Sequence, residues 1–195
     1  MNIQTLDDKV SMAEVALGDA YAERAVFNLN QDTPVGDTEA ITDLDKAIQF
    51  EPWAVRYCCR ATAYFGLKKM TQALSDFNLA LDAYQREERE GYKLEEFLLS
   101  AIHNGLGWCY KYDGKYEEAL REFNLALKLP IREGDLHLTF VSRGVILTEL
   151  GRNREAIKDF NKSIELNPIN PQTYIDRGIA YWNLNQYKKS LSDLD

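Results

Sequence analysis

The chain has little with which to do chemistry. Its 195 residues include two histidines, three cysteines and five prolines. His103 and His137 stand in different helical segments, and neither has a cysteine or second histidine at metal-ligand spacing. Both read as structural or surface residues. Cys58 and Cys59 are adjacent, and successive residues on a helix point about 100° apart, so the pair is poorly placed to bond within itself. Cys109, between Trp108 and Tyr110, reads as a small buried hydrophobe. Three thiols make no disulfide framework, which points to a reducing, cytoplasmic setting. No glycine-rich phosphate loop occurs, because each glycine abuts a second helix or lies in a turn. The carboxylates are spread over solvent faces. No catalytic residue, metal ligand or cofactor site is assigned, and the chain is expected not to be an enzyme.

Other absences narrow the class further. No run of 18 apolar residues exists, so no membrane span is expected. The opening MNIQTLDDKVSMAE lacks the basic region and apolar core of a secretory signal. Positive charge is short: 23 Lys and Arg stand against 31 Asp and Glu, a net −8. That balance disfavours nucleic acid and anionic membranes as partners. It permits a basic partner, or describes a solvated surface.

What the chain does have is a repeat. The stretch from His137 to Asn170 reads as two amphipathic helices joined by a short turn. Shifted by 34, Phe140, Arg143, Gly144, Ala156, Asp159 and Phe160 fall on Tyr174, Arg177, Gly178, Ser190, Asp193 and Leu194. Shifted back by 37, Gly144, Ala156 and Phe160 fall on Gly107, Ala119 and Phe123. A further 46 back stand Ala61, Ala73 and Phe77, and FNLAL occurs at both 77–81 and 123–127. Ala40, Asp43, Leu44 and Ala47 continue the pattern. Self-similarity at this period marks a solenoid. Small Gly144 and Ala156 let two antiparallel helices approach, while Leu147 and Phe160 fill the space above and below. Asn167–Pro168 closes the second helix.

In residue types and spacing this pattern resembles the tetratricopeptide repeat across most of the chain. The resemblance implies an all-α fold, a right-handed superhelix of antiparallel helical hairpins whose first helices line a concave groove. It also implies a role in binding other proteins. About five repeats are expected, at 18–52, 53–92, 93–135, 136–169 and 170–195, after an extra helical segment over 1–17.

Local signals set expectations for each hairpin. Residues 6–17 either lengthen the first helix or form a separate capping helix. The turn from Gln31 to Asp37, with Pro34 and Gly36, is three residues longer than the standard turn, so the next helix should run from about Thr38 to Phe50. After Ala83 the insertion QREEREG suggests extra helical turns on both sides of Gly91, projecting as a solvated arm or a contact surface. Pro130–Asp135 reads as a longer connection, Asn153 as a helix cap, and Asn170-Pro171 as a cap followed by proline in the first turn. The sequence stops about eight residues into the last helix, which suggests a piece of a longer protein with Tyr181, Tyr187, Leu191 and Leu194 uncovered, and hence fraying or self-association at that end.

An arginine precedes an aspartate by 16 at Arg60/Asp76, Arg143/Asp159 and Arg177/Asp193, and by 19 at Arg24/Asp43. In the third hairpin the arginine position is Leu106 and the acid is Glu122. Charge pairs tying the two helices of each hairpin follow, worth about 0.5–1 kcal/mol each where exposed.

By resemblance, groove residues lie on the first helices, on the side away from the hairpin partner. Equivalent offsets give Cys58, Thr62 and Phe65, then Asn104, Trp108 and Lys111, then Val141, Val145 and Thr148, then Ile175, Ile179 and Trp182. Some relatives grip a terminal carboxylate with Lys, Arg and Asn at such places; here only Asn104 and Lys111 fit. The stripe is otherwise apolar, which suits an amphipathic helix or extended apolar segment. Residues 6–17 or a second copy could fill it instead. The expected function is a non-enzymatic scaffold binding a protein or peptide; the alternatives are a regulatory array of a larger enzyme or a self-associating architectural array.

Overall fold

The computed structural model describes residues 3–31 and 33–194, apart from the side chains of 3–11 and 13. Among them are ten helices and no strand. They are α1 (Ile3–Leu29), α2 (Pro34–Phe50), α3 (Ala54–Gly66), α4 (Met70–Arg89), α5 (Leu98–Tyr112), α6 (Tyr116–Ala126), α7 (Glu133–Glu149), α8 (Asn153–Leu166), α9 (Pro171–Asn183) and α10 (Tyr187–Leu194). They fall into two compact units, Met1–Leu98 and Leu99–Asp195.

In the first unit α1 pairs with α2 and α3 with α4, and α2 packs on α3. In the second, α7 pairs with α8 and α9 with α10, while α6 meets α7 and α8 meets α9. The pairing of α5 with α6 shows in the Phe123 ring seated on Gly107. Each unit is a stack of helical hairpins.

The turns of the α3–α4, α5–α6, α7–α8 and α9–α10 hairpins share one geometry. The third residue of each turn donates its N–H back five residues: Lys69 to Tyr64, Lys115 to Tyr110, Arg152 to Leu147 and Gln186 to Tyr181, at 2.7 to 3.0 Å. The middle residue must then be left-handed. Gly114 (φ 71°) and Gly151 (φ 73°) suit that need, whereas Lys68 and Asn185 adopt it at φ 58°.

The core is a row of small and large pairs. Phe123 and Phe160 are fully buried and join Ala119, Leu120, Ile146, Leu147, Ala156 and Ala180 in one cluster. A Cβ on Gly144 would stand 2.7 Å from the Phe160 ring, and one on Gly107 2.9 Å from the Phe123 ring. The equivalent pair in the first hairpin is Ala25 with Leu44, both buried in one cluster.

Several expectations need correction. The α2 helix starts at Pro34, not Thr38, because Thr33 accepts the Gly36 N–H at 3.1 Å and proline occupies the first turn. The extra residues therefore lengthen the helix rather than the turn. The backbone of 6–17 is a continuation of α1, although the side chains of 6–11 and 13 lie outside the described residues. Helical turns flank Gly91 on one side only. α4 ends at Arg89, Gly91 is left-handed, and 92–95 run without regular structure. This insertion is not simply a solvated arm. The buried Glu87 carboxylate accepts the Ala54 N–H at 2.6 Å, capping α3, and the Tyr92 ring packs edge-on against Trp53 at 4.9 Å. Burial holds the Glu87 carboxyl above the usual range, against the pull of that N–H. Helix α7 begins at Glu133, inside the connection expected to reach Asp135. Asn153 is not the cap of α8. It lies in the first turn, donates to the Gly151 carbonyl and accepts from Asn183. Asn170 does cap α9, accepting the Gln172 N–H at 3.1 Å.

Candidate functional site

All four arginine–aspartate pairs form as bidentate ties. Arg24 grips Asp43, Arg60 grips Asp76, Arg143 grips Asp159 and Arg177 grips Asp193, with Nε–O distances of 2.6 to 2.8 Å. The four carboxylates are buried, so these are not the exposed pairs that the modest energy assumed. An aromatic ring one turn earlier lies beside each guanidinium, at 5.4 to 5.9 Å: Tyr21, Tyr57, Phe140 and Tyr174. In the third hairpin His103, one turn before Leu106, meets Glu122 at 2.7 Å.

Three arginines carry a further bond that sequence reasoning missed. Arg60 Nη1 reaches Asp45 (2.6 Å), Arg143 Nη1 reaches Asn124 (2.9 Å) and Arg177 Nη1 reaches Asn161 (2.6 Å). Each acceptor belongs to the second helix of the preceding hairpin. Each stands two residues after that hairpin's own acid, a spacing that was open to view in the sequence. These arginines are structural, with their donors engaged.

The expected groove residues divide by unit. In the first, Cys58 is buried and offers a ligand no face; burial drives its thiol far above the ordinary range, helped by Glu95 nearby. Thr62 turns its hydroxyl back to the Cys58 carbonyl at 3.0 Å, and Phe65 is half-buried.

In the second unit the stripe grows more open towards α9. Trp108 packs edge-on against Phe123, and with Val141 and Val145 it leans on the central cluster. Asn104 donates to Thr139 at 3.1 Å, and Thr148 bonds the Gly144 carbonyl at 3.0 Å. Lys111 lies 4.4 Å above the Trp108 ring. Its charge is felt by Asp176, whose carboxyl burial raises and Gln172 and Lys111 lower. Lys111 of α5 and Asp176 of α9 are therefore near one another in this unit. Ile175, Ile179 and Trp182 are 41%, 48% and 61% exposed, and the Trp182 ring stands edge-on to Tyr187 at 4.8 Å. Leu138, one turn before Val141, adds a 48% exposed leucine that was not anticipated. Asn104 thus spends an amide N–H on Thr139, and Lys111 lies over an indole face.

Cys109 is buried as expected, its thiol pushed up to about 11 by desolvation. Among the described residues no group of three or more His, Cys, Asp or Glu could hold a metal ion, and no helix is long and apolar enough to cross a membrane.

Hairpins with a three-residue turn, a small residue under a partner ring and a shared apolar core define an α-solenoid class of protein. The chain carries tetratricopeptide repeats: a TPR repeat model matches residues 144–191 and a tetratricopeptide repeat model matches residues 100–129. It is similar to the photosystem I assembly protein Ycf3 of Synechococcus sp. (strain CC9605), 33% identical over 75 residues, 38% of this chain and 43% of that protein. The chain spans less than half the length of the curated relatives it matches. Among solved structures it is similar to PilF of Pseudomonas aeruginosa (TM-score 0.72, 18% identity), over 93% of this chain and 75% of that one. It is also similar to YrrB (TM-score 0.67, 20% identity), over 90% of this chain and 81% of that one.

Proposed function

We propose that the chain is a protein-interaction scaffold that takes an apolar or amphipathic segment on the α7–α9 side of its second unit. The observation that carries this reading is the exposed stripe of Ile175, Ile179 and Trp182 with Leu138 beside it. Aliphatic and indole surface on rigid helices is what binds an apolar anchor, because little ordering entropy is lost when the partner docks. Asp176 and Lys111 at its edge suit an amphipathic partner with polar positions of both signs. YrrB is described as a tetratricopeptide-repeat protein with an unusual peptide-binding site, and it supports peptide recognition by this fold.

The test is capture of partners from native lysate by the wild type and by Trp182→Ala combined with Ile179→Ser. Both side chains are exposed, so the variant should keep the wild-type helical circular dichroism. Partner capture should fall by about tenfold or more if these residues are anchors. Retention of every partner by a folded double variant would remove the stripe from the site.

A further inference from the structure

The first unit holds a cavity of about 400 Å³ between α1, α2 and α3. Its walls are Ala22 and Val26 of α1, Leu44 of α2, and Val55 and Cys59 of α3, with Asp19, Glu23 and Arg56 at its polar edge. Residues 19, 22, 23 and 26 share one helical face of α1, so two carboxylates and two apolar side chains look into the same space. The volume is that of a side-chain pocket rather than a packing defect.

The charge at this edge is set by Arg56. It is buried, and its donors are engaged inside the unit: Nη1 to the Ala47 and Glu51 carbonyls (2.8 and 2.9 Å), Nη2 to Asp19 Oδ1 (2.5 Å). The Glu51 carboxylate lies 3.6 Å away. Three carboxylates, Asp19, Glu23 and Glu51, therefore stand against one guanidinium. The Asp19 side chain is 60% exposed, and Glu23 has no ion-pair partner among the described residues. Arg24 and Lys46 do not neutralise this edge. They line a different cavity, held by Asp43 and the Tyr21 ring.

We propose that this cavity is a second binding site, for a peptide segment that carries a large apolar side chain beside an arginine or lysine. The apolar side chain enters between Val26 and Val55, and the cation meets Glu23 and the open oxygen of Asp19. An acidic segment is repelled, because the local cation is already held by oxygens of the protein. This site stands on the first unit alone and does not depend on the α7–α9 reading.

The experiment is fluorescence anisotropy of the full chain with three short labelled peptides of Gly and Ser around a central Arg-Leu-Arg, Glu-Leu-Glu or Arg-Ser-Arg. Arg-Leu-Arg should bind saturably, and more weakly as salt rises. The other two should bind about tenfold more weakly. Glu23→Lys and Val26→Asp, both at exposed positions, should each weaken Arg-Leu-Arg by about fivefold with helical content unchanged, and Trp182→Ala should have no effect. Absence of saturable binding by Arg-Leu-Arg, or equal binding by Glu-Leu-Glu, overturns the proposal. Loss on Trp182→Ala with none on Glu23→Lys overturns it too, and leaves the α7–α9 reading standing. Sedimentation that shows a dimer abolished by Glu23→Lys would assign the cavity to a second copy and overturn the peptide assignment.

Discussion

At the scale of single residues, two glycines at equivalent places should answer the same substitution differently. Gly144 lies under the Phe160 ring, which a new methyl group would meet at 2.7 Å, whereas the nearest atom to a Cβ on Gly178 is 3.4 Å away. Gly144→Ala should destabilise by about 1–3 kcal/mol, as overpacking does. Gly178→Ala should be neutral or stabilising by up to about 1 kcal/mol, as Gly to Ala is within a helix. Urea denaturation of both variants checks the contrast; equal losses would refute it. At this place the first hairpin has the buried pair Ala25 and Leu44, while the second has Ala61 and Phe77, also buried, so a methyl group and a ring can coexist once the hairpin has packed around both. A second expectation concerns acid. Hydrogen bonds from Arg24 hold the Asp43 carboxyl below its ordinary range, against desolvation. Its contribution is therefore present above the ordinary aspartate range and lost as pH falls through the lowered value. Asp43→Asn should lower the urea midpoint at neutral pH, with the gap to wild type closing in strong acid. A gap independent of pH would mean that packing, not charge, is what the aspartate supplies. The 16-residue Arg–Asp spacing made these pairs legible in the sequence. The burial of their carboxylates was not, because it depends on what the neighbouring helices cover. Cys58 failed as a groove residue for the same reason, since the offset placed it on a face but did not show that the face was covered.

At the scale of elements, periodicity located every helix, and the errors fell at the ends. Helix α2 gains a turn from the Thr33 cap and Pro34, a start signal that the sequence carries inside what looks like a long turn. The insertion after α4, rich in charge and free of proline, suggests solvated helical turns. Glu87, one of its charges, instead turns inward to cap the N-terminus of α3, 33 residues away in sequence. No local pattern announces such a partner. The turns were legible where glycine marked them, at Gly114 and Gly151, and hidden at Lys68 and Asn185. Lys68 occupies the left-handed region that an L side chain enters at a cost of about 1–2 kcal/mol. Part of that is returned by the entropy glycine loses on folding. Lys68→Gly should therefore raise stability by roughly 0.5 kcal/mol, visible as a higher melting temperature. A lower one would show that the lysine side chain has a packing role.

At the scale of the whole molecule, hydrogen exchange should report how unevenly the hairpins are held. α8 contributes Ala156, Phe160 and Ser163, each fully buried, whereas α10 buries Ser190 and the Asp193 carboxylate and leaves Tyr187, Leu191 and Leu194 more than half exposed. Its eight residues are too few to hold a helix without packing. Amides of α10 should exchange well before those of α8, and equal protection would contradict this ordering. The second-unit hairpins α7–α8 and α9–α10 are joined to their predecessors by the third donor of Arg143 and of Arg177, as Arg60 joins α3–α4 to α2. This has a consequence for moving hairpins between proteins. A transplanted hairpin brings the arginine but not the Asp or Asn that receives it, which the recipient must already carry two residues beyond its own acid. Grafts that match this position should join in register, and those that do not will leave a half-buried guanidinium one oxygen short.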